Sequence, residues 1–265
     1  MRYLNQTAGV AVRAPRASAS GALNGRWYSV NVGLLHYVTL DFNVYYGTEP
    51  DALRVAQLAW LAADLAAVDR AATPWILVAA HMPLQCSSIT YDGEFVEEAQ
   101  RYEAAMGKAP ADIAARAPYK GCTGTGVANT EATRKEPLFL RYGVDMFLCG
   151  HEHNYESQWP TKDLQPVQLD FTAPRAPVYV VEGAGGAPAL DLFGGAGPFT
   201  RKQDSSWGWG HVTVHNATHL TYDRIANDLC RAQCQGGSCP PCGLPAGAVQ
   251  DTWTIYQPAH GPFPA

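Results

Sequence analysis

The sequence has no run of lysine or arginine and no apolar stretch of the roughly 18 to 20 residues that a bilayer crossing requires. Residues 1–26 hold no basic segment leading into an apolar core. Each absence removes a class of function. With 19 Lys and Arg against 24 Asp and Glu, the net charge is −5. No basic surface is therefore expected to displace counterions from a phosphate backbone or to hold an anionic membrane. Nucleic acid and membrane are both excluded as expected partners.

Cysteine is not scarce. Seven are present, and four fall in the short stretch Cys230, Cys234, Cys239 and Cys242. Their spacing is too tight for a split zinc ribbon, so two local disulfides are favoured, with three connectivities open. Two N-x-[ST] sequons, at Asn5 and Asn216, are candidate glycosylation sites. Together these features point to an oxidising compartment: secreted, or a vacuolar or lysosomal lumen. Such a destination without a leader in residues 1–26 implies that the true amino terminus lies elsewhere.

A chain of 265 residues can bury a substantial core. Residues 1–26, rich in Ala, Ser, Gly and Arg, are expected to be a loop entering the domain; residues 27–265 carry the fold. "RWYSVNVG" and "LLHYVTLDF" are β-rich runs meeting at Gly33, which predicts a hairpin. Leu53, Leu58, Leu61, Leu65 and Val68 recur at helical spacing, stopped by Thr73-Pro74. "WILVAAH" and "VDMFLCG" are continuous apolar runs, as expected of parallel strands covered on both faces. Between them lie a predicted short helix in "EFVEEAQRYEAAM", an insertion near 90–121, and "EATRKEPLFLRYG", weakly helical and limited by Pro137. "APVYVVEGAGG" is a third apolar strand whose glycine-rich end, Gly183 to Gly186, is read as an exit turn. "GHVTVHNATHLTYDRI" is two alternating strands joined at Asn216-Ala217, and "DTWTIYQ" is a last strand beyond a second insertion near 228–247. This order predicts an α/β layered domain with mixed β-sheets.

In open α/β sheets, ligands bind beyond the carboxyl ends of the strands. His81 follows one apolar strand; His151 and His153 follow another. Three imidazoles at strand ends are candidate metal ligands. His36, His211, His215 and His219 lie within alternating patterns and are read as packed or surface residues. Trp207, Trp209 and Tyr222 are read as core packing, and Cys149 as a buried inert thiol.

"CGHEHNYE", preceded by "LRYGVDMF", resembles the G-H-x-H-x-Y-E-R signature of the purple acid phosphatases, within the calcineurin-like metallophosphoesterases. "AAHMPLQCSS" is similar to the block where a strand-terminal His precedes Pro and Cys-Ser-Ser. "WYSVNVGLLHYVTLDF", "QLAWLAADLAAVDRAATPWILV", "PRAPVYVVEGAGG", "WGWGHVTVHNATHLTYDRI" and "DTWTIY" follow in the family's order. The resemblance covers about residues 26–260 outside the insertions. It implies an incomplete αββα metallophosphoesterase sandwich, the C-terminal part of the catalytic domain, that hydrolyses phosphomonoesters at acid pH. The implied cofactor is a dinuclear centre of Fe plus Zn or Mn. His81 and His151 would hold the divalent metal and His153 the iron. A disulfide between Cys86 and Cys122 is implied by a similar pair in some members, against the alternative of two free thiols. His260 matches a family tail and is read as structural.

The departures from the family are equally specific. The family's upstream motifs D-x-G, G-D-x-x-Y and G-N-H-E do not occur, so the site is expected to be incomplete and its tyrosinate colour absent. Thr125 stands where a substrate-facing His is common, and Ser157 where the signature ends in Arg. No residue of this chain is assigned as catalytic. The alternative is a non-catalytic remnant or binding module of the same fold.

Overall fold

The computed structural model describes residues 25–45, 51–88, 135–186, 190, 191, 193, 195–227 and 245–264. The Asn5 sequon, Cys122, Thr125, the predicted helix and insertion near 90–121, and the Cys230–Cys242 cluster lie outside them. Two runs rich in β-formers open the fold, β1 (Tyr28–Val32) and β2 (Leu35–Thr39), paired antiparallel with Val32 opposite Leu35. Gly33 takes φ 56 at the first position of the two-residue turn, a conformation that glycine adopts without a Cβ penalty.

Helix α1 (Asp51–Ala66) returns the chain so that β3 (Trp75–Ala79) lies parallel to β2. Its inward stripe differs from expectation at one place. Leu61 and Leu65 are buried, but Gln57 rather than Leu58 fills the inward position one turn earlier, its Nε2 donating to the Asp41 carbonyl at 3.1 Å. Helix α2 (Lys135–Tyr142) tolerates Pro137 in its first turn, where no intrahelical bond is lost.

The central sheet then builds outward. β4 (Met146–Cys149) is parallel to β3, β8 (Val178–Glu182) is parallel to β4, and β5 (Tyr155–Gln158) and β9 (Thr200–Asp204) close the far side antiparallel. The order is β1-β2-β3-β4-β8-β5-β9. A small ribbon, β6 (Thr161–Lys162) with β7 (Gln165–Pro166), projects from it. β10 (Gly208–Val214), β11 (His219–Ala226) and β12 (Val249–Tyr256) form a second, antiparallel sheet, with Asn216 in the turn between its first two strands.

Each face of the central sheet has its own core. The odd-numbered β3 residues Trp75 and Leu77 pack with Met146, Val178 and Val180 against Tyr222, Leu220, Trp253 and Ile255 of the second sheet. The even-numbered Ile76 and Val78 pack with Val38, Phe139 and Phe147 beneath α1 and α2. This alternation explains why β3 reads as continuously apolar: both faces are covered. Among the described residues the layers are helix, sheet and sheet, a mixed α/β architecture.

Trp209 corrects the sequence reading. It is 41% exposed on the outer face of the second sheet, while Tyr222 is in the core. The glycines on either side of Trp209 have a packing reason. A Cβ on Gly208 would overlap the Arg224 guanidinium, and one on Gly210 the Tyr222 ring. The "WGWG" run thus provides two sockets for the large buried side chains of the neighbouring strand.

Candidate metal centre

The parallel ladder continues past the ends of β3 and β4, and this sets His81 and His151 side by side. Ala80 N–H donates to the Leu148 carbonyl at 3.0 Å and Gly150 N–H to the His81 carbonyl at 2.9 Å. His151 then reverses the chain in a single residue. It takes φ 68, and Glu152 N–H donates to the Gly150 carbonyl at 2.8 Å. That is a γ-turn of the positive-φ type, costing on the order of 1–3 kcal/mol for a residue other than glycine.

The surroundings enforce it. Gly183, beyond β8, lies so close that a Cβ there would overlap the Glu152 carbonyl oxygen, and Gly183 N–H donates to the Asn154 carbonyl at 3.1 Å. The result brings His151 Nδ1 to 3.2 Å from His81 Nε2, with ring centroids 5.1 Å apart and the planes nearly perpendicular. Two neutral imidazoles can share a hydrogen bond at this distance, one donating and one accepting. The spacing also fits a shared cation: two nitrogens each about 2.0–2.1 Å from a tetrahedral metal stand about 3.3 Å apart.

His153 is positioned separately. Its backbone N–H donates to Asp191 Oδ2 at 2.6 Å, and Asp191 N–H returns a bond to the His153 carbonyl at 3.1 Å. Asp191 sits in "ALDLFGG", a segment with no local signal for this role. Among the described residues, no group of three or more His, Cys, Asp or Glu side chains is disposed to hold a metal ion. The structure therefore brings His81 and His151 together, and His153 joins them in no group of three such side chains among the described residues.

Beneath the pair lies a buried polar clasp. Met82 through Ser88, which follow His81, are all buried. Ser87 donates to Glu156 twice, from its backbone N–H at 2.8 Å and its hydroxyl at 2.7 Å, and Thr200 donates to the same carboxylate at 2.5 Å. Burial pushes the Glu156 carboxyl up, while these three donors pull it down. Gln85 and Gln158 exchange bonds at 2.7 and 3.0 Å, and Asn154 Nδ2 donates to Ser88 Oγ at 3.2 Å. Cys86 is disulfide-bonded. Cys149 is buried and free, its thiol facing the Val180 carbonyl at 3.3 Å, and burial holds its pKa well above the ordinary range. Ser157 is fully buried and accepts a bond from Arg201 Nε at 3.0 Å.

Two further histidines are packed away from the pair. His36 is buried between Asn31 Oδ1 at 2.6 Å and Asp64 Oδ2 at 2.9 Å. His260 is held at the opposite end of the sheet, Nε2 donating to the Ala217 carbonyl at 2.7 Å and Nδ1 facing Asp145 at 3.2 Å.

Residues 176–232 match the family described as iron/zinc purple acid phosphatase-like protein C. The chain is 30% identical over 227 residues to acid phosphatase type 7 of Homo sapiens, covering 80% of this chain and 45% of that protein. It is 28% identical over 264 residues to acid phosphatase type 7 of Danio rerio, covering 93% and 50% respectively. The chain thus spans about half the length of these relatives. Its fold matches the purple acid phosphatase PPD1 from yellow lupin, Lupinus luteus, with a TM-score of 0.57 at 21% identity, over 87% of this chain and 32% of that one.

Proposed function

We propose that this chain, similar to acid phosphatases and purple acid phosphatases, contributes part of a metal-dependent phosphomonoesterase site and corresponds to the C-terminal part of their catalytic domain. The observation that carries this reading is the His81–His151 pair, whose 3.2 Å separation suits two ligands on one divalent cation. His153, from the same turn, would serve a second cation of the iron type. The remaining ligands of a dinuclear centre would come from outside the described residues.

When bound, such a centre supplies Lewis acidity toward a phosphoryl oxygen and lowers the pKa of water. The chain's own part is orientation. The γ-turn fixes the direction of the His151 ring, and the ladder bond from Gly150 to His81 fixes its distance from the partner ring. The clasp around Glu156 holds the buried segment that leaves His81. The substrate would be a small phosphomonoester.

A lumenal or extracellular compartment accords with two features. Cys86 is oxidised, and Asn216 is exposed in a hairpin turn with its side-chain oxygen accepting from Thr218 N–H, Thr218 Oγ1 and His219 N–H. Asn216 is the proposed glycan acceptor. Cys122 is the proposed partner of Cys86.

The test is hydrolysis of p-nitrophenyl phosphate at acid pH, with added Fe and Zn or Mn, against the His151→Ala variant. Metal-dependent turnover in a form of the chain extended upstream, lost in its His151→Ala variant, is the expected result. A second reading, a non-catalytic binding module of the same fold, is favoured by the absence of a three-ligand group among the described residues. Metal binding without turnover, or no metal binding, would replace the first reading with the second.

A further inference from the structure

Behind the His151 turn, the end of β8 reaches both that turn and the second sheet. Its last residue, Glu182, lies opposite Tyr155 of β5. The backbone at this point faces the site: the Glu182 carbonyl and Gly183 Cα would lie within 4 Å of a Cβ on Gly150, and Gly183 supports Glu152 and Asn154. The side chain faces the other way. Glu182 Oε2 accepts from Tyr222 Oη at 3.1 Å and pairs with Arg224 Nε at 3.2 Å.

Arg224 is fully buried, seated in the Gly208 socket, and is held further by the Ser206 carbonyl at 2.7 Å and by Gln250. One residue thus links a buried guanidinium on the second sheet to the peptide that packs against the His151 turn. We propose that Glu182 is a positioning residue for His151, its grip on Arg224 and Tyr222 setting how far the end of β8 pushes the γ-turn toward His81.

A buried link of this kind acts as an outer-shell support does, by restricting the orientation of a ligand that it does not touch. The groups facing the carboxyl are Arg224 and Tyr222 from β11, Tyr155 from β5 and Asp204 from β9. None of the proposed ligands is among them, so the effect travels through the backbone of Glu182 and Gly183.

The experiment is imidazole NMR of the chain, with Zn2+ titrated calorimetrically, in Glu182→Ala, Glu182→Gln and Tyr222→Phe. Glu182→Ala is expected to move the His151 ring resonances, leave those of His260 in place, and weaken Zn2+ binding about tenfold. Glu182→Gln, which keeps the length and one acceptor, should restore most of both. Tyr222→Phe removes a single hydrogen bond and should shift His151 in the same direction by less. A folded Glu182→Ala protein with unmoved His151 resonances would overturn the proposal, as would His151 and His260 moving together. If Glu182→Ala does not fold, Tyr222→Phe decides alone by the presence or absence of the His151 shift. The affinity readout rests on the metal-site reading. Failure of the unsubstituted chain to bind Zn2+ would overturn that reading, while the ring resonances would still decide the role of Glu182.

Discussion

The two ends of the parallel strands β3, β4 and β8 are built in opposite ways. At the amino end the described polar groups are tied into one network. Asp145 accepts from Ile76 N–H at 2.8 Å, faces Arg70 at 3.3 Å and His260 at 3.2 Å, and its own carbonyl receives Val178 N–H at 3.1 Å. Arg70 also donates to the carbonyls of Tyr142, Pro74 and Gly143, and Trp75 donates to Asn216 and meets the His260 ring edge-on. At the carboxyl end the backbone is strained at His151, and His81 is exposed. A histidine at one end closes a bonding network; a histidine pair at the other presents nitrogens to whatever arrives. On the proposed reading, the difference separates stability from function along a single set of strands.

Breaking the amino end should have the largest effect. Asp145→Ala leaves Arg70 and the Ile76 amide without their carboxylate and should lower unfolding free energy by about 3–5 kcal/mol in a urea titration. Zn2+ affinity of the folded fraction should be unchanged. Breaking the carboxyl end should invert that pattern. His151→Ala should cost about a hundredfold in Zn2+ affinity, about 2.7 kcal/mol, with little change in the urea midpoint. Equal losses on both axes in either variant would dissolve the distinction.

Two subtler changes sharpen it. Gly183→Ala forces a methyl against the Glu152 carbonyl and should cost about 1–3 kcal/mol of stability while moving the His151 resonances, because here the packing and the site share a backbone. Glu182 supplies the pH axis. Burial raises its carboxyl to about 7, with Arg224 opposing. The folded state therefore holds this proton more tightly than the unfolded chain, so the contribution is full below the unfolded value of 4.5 and is lost as pH rises through 7. Glu182→Gln should flatten the stability profile in that window by up to about 1.4 kcal/mol per pH unit, read from thermal or urea unfolding at several pH values. Smallest of all, Trp209→Ser on the outer face of the second sheet should stay within about 0.5 kcal/mol.

What the sequence made legible follows the same division. The hairpin at Gly33, α1 and the buried strands were readable because periodicity and turn chemistry are local properties of a few consecutive residues. The position of His81 and His151 beyond neighbouring strand ends was readable because they follow apolar runs. The inward Gln57, the role of Asp191, the sockets at Gly208 and Gly210, and the joining of Glu182 to Arg224 were not. Each depends on a partner brought close by the fold, separated by 16, 38, 12 to 16 and 42 residues respectively, and no local pattern encodes such a meeting. Trp209 failed for a related reason: alternation gave its face relative to its neighbours, but not which face met the core.

The sockets on β10 also discriminate among ways of assembling the second sheet. Gly208 and Gly210 stand across from Ala226 and Arg224, and the guanidinium and the phenol ring lie over them. Sliding β10 by one residue along β11 would carry Trp209 and His211 onto the buried side and leave Arg224 and Tyr222 facing bulk where they now find space. A mispaired hairpin would thus be sterically rejected before β12 could cover it. The two glycines act as a steric key to the register, since the native pairing alone gives both large side chains room.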